Sequence, residues 1–142
     1  MHVHRQGAAR LVSGLVMWAA FGAGAATQGV AGPADPAKVP RVSAAELRRL
    51  MKQDQAIAVD VRSAEAFAAG HIVGAIHVPA SEIRARALDI RARAGSRRVV
   101  LYCSCPFEHS AAEAALELYR LGFLRVAVLA GGYGGRGPSM AR

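Results

Sequence analysis

The chain has 142 residues, 53% of them apolar and 20% charged, and a formal net charge of +8. This length argues against more than one domain, and this apolar fraction against wholesale disorder. The positive excess reads as a basic, solvated surface; no nucleic acid partner is expected, because no basic patch interleaved with aromatics accompanies it.

Residues 1–25 read as a secretory signal peptide. Arg5 and Arg10 come first with no acid, an uncharged run from Leu11 to Ala26 follows, and Ala23, Gly24 and Ala25 give a small-x-small site. The alternative is an uncleaved anchor, although about 20 residues are normally needed to span a bilayer. The expected location is periplasmic or secreted, with a membrane partner only if the segment stays uncleaved. Residues 26–40 hold three prolines and two glycines and read as a linker. The folded domain is expected over 41–142.

A first helix is predicted in "VSAAELRRLMKQD", with Ser43 and Glu46 as a capping box and Leu47, Leu50 and Met51 on one face. "AIAVDV" (56–61) is a short apolar run of the kind found in buried parallel strands. "SAEAFAAG" (63–70) predicts a short helix stopped by Gly70, and "GAIHVP" (74–79) another strand. "SEIRARALDIRARAG" (81–95) predicts one continuous helix with Ile83, Ala87, Ile90 and Ala94 inward. "RRVVLYC" (97–103) is a strand. "SAAEAALELYRLG" (110–122) is a helix capped by Ser110 and Glu113, and "LRVAVLAGG" (124–132) a last strand. This alternation predicts an α/β fold, an open and mostly parallel sheet with helices on both faces.

Ligands of such sheets sit beyond the carboxyl ends of the strands. Cys103 stands at one of those ends, and a short loop then leads onto a helix N-terminus. The two cysteines of the chain lie together there, in Cys103-x-Cys105. A disulfide between them would close a very small, strained ring, so a structural bridge is not expected. A nucleophilic cysteine works as thiolate, and a helix N-terminus favours the thiolate through its unpaired N–H groups and dipole. A small buried thiol that only fills a strand end is the bland alternative.

Three ordered segments carry a family resemblance. They are "VDVRSAEAFAAGHIVGAIHVP" (59–79), "VVLYC" (99–103) and "GFLRVAVLAGGY" (122–133). From about Val42 to Gly132 the chain resembles the rhodanese homology domain. The resemblance implies a rhodanese-like sheet of about five strands and a sulfurtransferase. In it Cys103 would carry sulfane sulfur as a persulfide, cradled by the loop Ser104, Cys105, Pro106, Phe107, Glu108, His109 and Ser110, and pass it to a thiophilic acceptor such as cyanide. Asp60 and Arg62 would tie the strand end to neighbouring loops, and His71 would be structural. No metal and no organic cofactor is implied. The partners would be a small sulfur donor and acceptor or a protein-borne persulfide, and a monomer is expected.

The loop also departs from the family. Its sulfurtransferases commonly carry a basic residue five positions after the cysteine, where this chain has Glu108. The phosphatase-like branch needs arginine at the sixth, where this chain has His109. Phosphoryl transfer is therefore not expected. Glu108 would repel anionic thiosulfate if it pointed inward, so a neutral or protein-borne donor fits better. Cys105 either resolves a modified Cys103 or stands by as a spectator. Two other readings stay open: a non-catalytic binding or thiol-redox module built on Cys103 and Cys105, and a Cu(I) or Zn site formed by Cys103, Cys105 and His109.

Overall fold

The computed structural model describes residues 32–134, so the predicted signal peptide or anchor and the start of the linker lie outside the described residues. A 3-10 turn at Pro36–Lys38 is followed by β1 (Arg41–Val42), α1 (Ala44–Lys52), β2 (Ala56–Asp60), α2 (Ala64–Ala69) and β3 (Ile76–His77). A second 3-10 turn at Ala80–Glu82 leads to α3 (Ala87–Ala94), β4 (Arg98–Tyr102), α4 (His109–Arg120) and β5 (Val126–Leu129). The five strands form one sheet in the order β1-β5-β4-β2-β3, and every pairing is parallel. No helix of the described residues is long and apolar enough to cross a membrane.

Strand alternation sorts the core into two layers. Ile57, Val59, Val99, Leu101, Val126 and Val128 face α3 and α4, which contribute Ile90, Ala94, Ala111, Ala115 and Leu118. Ala58, Val100, Tyr102, Ala127 and Leu129 face the other side, with Leu47 and Leu50 of α1. Both faces being covered explains why β2 is buried along its whole length. Burying Leu47 and Leu50 stabilises the fold by about 1.5–3 kcal/mol each. The Ser43 hydroxyl starts α1 by accepting the Glu46 N–H at 3.1 Å, and the Ser63 hydroxyl starts α2 by accepting the Ala66 N–H at 3.3 Å.

Three local readings change. The helix expected over 81–95 is broken: a 3-10 turn and a further bend precede α3, and Arg86 leaves the helical region at φ −102°, ψ 13°. This bend buries both Ile83 and Ile90, while the Arg86 guanidinium reaches back to the His77 carbonyl at 3.2 Å. The helix expected to start behind a Ser110 cap begins at His109, behind Glu108, and has no side-chain cap at all. Finally, residues read as linker join the core. Val39 is 2% exposed, and a Cβ on Gly32 would lie 2.3 Å from the Tyr119 ring.

Candidate active site

β4 runs between β2 and β5 to the carboxyl edge of the sheet, and Cys103 is the first residue beyond it. Cys103 is 4% exposed, whereas Cys105, two residues along the loop, is partly exposed. Both thiols are free, and their Sγ atoms are 2.9 Å apart. The chain then turns through Glu108, which sits in the left-handed region at φ 51°, and enters α4.

The sulfurs lie beside this uncapped helix start, whose unpaired N–H groups favour negative charge: those of His109 and Ser110 on Cys105, and that of Ala111 on Cys103. The consequences differ for the two thiols. Burial pushes the Cys103 thiol above its ordinary range, and its hydrogen bond to Cys105 adds to the shift. The hydrogen bond from Cys103 holds Cys105 below that range, helped by the helix N–H groups. The site therefore favours a Cys105 thiolate accepting the Cys103 S–H.

Glu108 does not point at the sulfurs. It is 8% exposed, accepts the Gly131 N–H at 2.6 Å, and receives Arg41 Nε at 3.3 Å. The expected repulsion of an anionic donor by an inward Glu108 is thus corrected: its carboxylate is spent on a loop clamp. The Tyr133 N–H adds to the clamp by donating to the Cys103 carbonyl at 2.7 Å. Gly132 lies so close that a Cβ there would meet the Cys103 carbonyl oxygen at 2.4 Å.

Behind this clamp, Arg62 grips the fully buried Asp60 with Nε at 2.9 Å from one oxygen and a terminal nitrogen at 2.6 Å from the other. The same guanidinium donates to the Gly70 carbonyl at 2.7 Å and lies 3.9 Å from the centre of the Tyr133 ring. Tyr133 in turn stacks on Tyr102, whose hydroxyl accepts the Ile72 N–H at 3.1 Å. Asp60 and Arg62 thus reach the cysteine loop through two tyrosines, Tyr133 and the Tyr102 that precedes Cys103. His71 stacks on Phe67 and pairs with its carbonyl at 2.9 Å, away from the sulfurs.

The other loop residues carry no charge toward the thiols. Ser104, Pro106 and Ser110 are exposed, and Phe107 is 71% exposed and stacks against His109. An open cavity of about 670 Å³ flanks the loop between Asp35, Arg41, Phe107, His109 and Glu113, but neither sulfur lines it. Cys103, Cys105 and His109 do not converge as metal ligands; no group of three or more such residues does among the described residues. Arg41, Gly131, Gly132 and Tyr133 escaped the sequence reading as loop clamps, although the paired glycines after β5 were a visible signal.

Comparison with known proteins agrees with this geometry. A stretch of 41 residues is 54% identical to the thiosulfate sulfurtransferase GlpE of Pseudomonas putida, covering 29% of this chain and 34% of that protein. A stretch of 62 residues is 39% identical to the HTH-type transcriptional regulator Rv0324 of Mycobacterium tuberculosis, covering 44% of this chain and 26% of that protein. The chain thus spans about a third or less of the length of either relative. Among solved structures, the human single-domain sulfurtransferase TSTD1 superposes with a TM-score of 0.57 at 30% identity, over 66% of this chain and 91% of that one. The BH2092 protein of Bacillus halodurans gives 0.55 at 33% identity, over 66% and 68%. The Rhodanese-like domain family matches residues 43–135. With that match spanning more than half of its length and with the parallel sheet and cysteine loop in place, the chain belongs to the rhodanese-like domain family.

Proposed function

We propose that the chain is a sulfurtransferase that carries sulfane sulfur as a persulfide on Cys103 and passes it to a thiophilic acceptor. The observation that supports this best is the pair of free thiols set against the uncapped N-terminus of α4. Backbone N–H groups there can stabilise a sulfur anion without a basic side chain. The loop offers no arginine or lysine to thiosulfate, so the preferred donor is a neutral or protein-borne persulfide. No metal or organic cofactor enters this reading. Residues 1–25 would export the domain to the periplasm or beyond, where a reductant must keep both thiols free.

The test is a cyanolysable-sulfur assay on purified protein treated with a low-molecular-weight persulfide. Loading of about one sulfur per chain, resting on Cys103 in the wild type and lost in the Cys103→Ser, Cys105→Ser double variant, supports the reading; a fully reduced wild type that takes up no sulfur overturns it. The 2.9 Å contact between the sulfurs favours a second reading, a non-catalytic module in which Cys103 and Cys105 act as a redox dithiol. That reading predicts two-electron oxidation by a partner disulfide with no sulfur uptake.

A further inference from the structure

We propose that Cys105 is a second catalytic cysteine, the one at which sulfur first arrives, and that the buried Cys103 receives sulfur from it. This rests on the sulfurtransferase reading above and divides its single nucleophile into two steps.

Access carries the first step. Cys103 is 4% exposed, and its carbonyl is pinned from behind by the Tyr133 N–H. Cys105 is partly exposed and stands between exposed Ser104 and Pro106. A donor approaching from solvent therefore meets Cys105 before Cys103. The N–H groups of His109 and Ser110 act on Cys105, so charge on its sulfur is stabilised where the donor arrives. The two sulfurs lie 2.9 Å apart, within hydrogen-bond reach of each other, so charge on the Cys105 sulfur has the Cys103 thiol beside it as a partner.

Proximity carries the second step. The Cys105 thiolate attacks the outer sulfur of a persulfide donor R–S–SH. A bond forms between Cys105 Sγ and that sulfur, the S–S bond of the donor breaks, and the thiolate R–S⁻ leaves. Cys103 Sγ then attacks the outer sulfur now carried by Cys105. The bond from that sulfur to Cys105 breaks, its electron pair returns to Cys105 Sγ, and the Cys103 proton passes to Cys105. The products are a neutral Cys103 persulfide, Sγ–SH, and a Cys105 thiol, with no net oxidation and no other reactant. The direction is favourable in leaving-group terms, because the thiol with the lower pKa departs faster. A sulfur passing between the two needs its neighbours roughly two S–S bond lengths apart, about 4 Å. From the 2.9 Å seen between the resting thiols, Cys105 must withdraw by a little over one ångström, which a partly exposed loop residue can do. Attack on the inner sulfur instead would expel sulfide and close the strained Cys103–Cys105 disulfide.

The experiment is a quenched time course of wild-type protein with glutathione persulfide, each cysteine's modification being located by mass spectrometry of alkylated peptides. The added sulfur is expected on Cys105 first and on Cys103 afterwards. In Cys105→Ser, loading of Cys103 slows at least tenfold; in Cys103→Ser, Cys105 loads at close to the wild-type rate and keeps its sulfur. Simultaneous appearance on Cys103 alone, or wild-type loading in Cys105→Ser, overturns the relay while leaving the sulfurtransferase intact. Release of sulfide with a Cys103–Cys105 disulfide also overturns it. Failure of the reduced wild type to load at either cysteine removes the underlying function, and the relay with it.

Discussion

Glu108 and Gly131 are 23 residues apart in the chain, yet the Glu108 carboxylate accepts the Gly131 N–H at 2.6 Å. The bond joins the cysteine loop to the turn after β5 and keeps a buried acid away from the sulfurs. Glu108→Ala leaves the Gly131 donor and the Arg41 guanidinium without this partner and is expected to cost ~1–3 kcal/mol of stability. Glu108→Gln, which can still accept the hydrogen bond, is expected to lose less. Urea denaturation of the two variants against wild type measures the difference; equal stability of Glu108→Ala and wild type would refute the clamp.

Gly132 offers a sharper probe of the same turn. It has φ +60°, and its added Cβ would press on the Cys103 carbonyl oxygen. Gly132→Ala carries about 1–2 kcal/mol of left-handed backbone cost besides that clash with main chain, which cannot move aside as a side-chain tip can. The expected result is a lower melting temperature and loss of sulfur loading. Gly134→Ala, with open space around its Cβ position, is the control and should retain loading.

The Asp60–Arg62 pair predicts an asymmetry. Asp60→Ala strands a guanidinium whose side chain is only 8% exposed, and removing one partner of a buried pair costs about 3–5 kcal/mol. Arg62→Lys keeps the charge but loses the fork that holds both Asp60 oxygens and the flat face against Tyr133. It should be the milder variant in thermal melts, and still slow sulfur loading because Tyr133 loses its support.

Alkali should act through Tyr102. Burial pushes its phenol well above the ordinary value near 10, further raised by Asp60 although the Ile72 N–H opposes the shift. The folded state then keeps the Tyr102 proton while the unfolded chain gives it up. Stability from this group is complete below about pH 10 and falls as pH rises beyond it. Burial also raises the Tyr119 phenol, so ultraviolet titration of native protein should show fewer than three tyrosines in the normal phenolate transition. The Tyr102→Phe variant should lose the signal that appears only on unfolding. A full complement of normal titrations in folded protein would count against the burial argument.

The two thiols should separate by pH. Cys105 is held low chiefly by the Cys103 S–H, so its thiolate persists to lower pH than an ordinary cysteine's. Iodoacetamide should therefore modify Cys105 first, with a midpoint below that of an ordinary cysteine. In Cys103→Ala the donor is gone and the midpoint should move upward. Preferential labelling of Cys103 would invert the assignment.

The strands and helices that carry large, regular apolar runs were legible from the residues alone. β2, β4 and the centre of β5 are buried on both faces, so they read as unbroken runs of valine, leucine, isoleucine and alanine. β1 was not legible because two residues, Arg41 and Val42, make a strand only by pairing with β5. The bend before α3 hid inside a helical pattern, since Ile83 and Ile90 are a spacing a straight helix also satisfies. At the site, Cys103 could be placed from its strand end. The orientation of Glu108 could not, because it is set by Gly131 and Arg41 from distant parts of the chain. The uncapped start of α4 was misread for a related reason: Ser110 and Glu113 have the spacing of a cap, but the left-handed turn at Glu108 starts the helix at His109 and puts Ser110 inside it.

That uncapped start limits how this domain can be improved. Ser, Asp or Asn at position 108 would be the usual choice for firming a helix end, and would look like a simple gain in a stability-guided redesign. Such a side chain would compete with the two cysteines for the N–H groups of His109, Ser110 and Ala111. The sturdier helix would come with a less reactive thiol. Thermal robustness and sulfur chemistry are thus rivals for the same few backbone donors, and selection for one alone should erode the other.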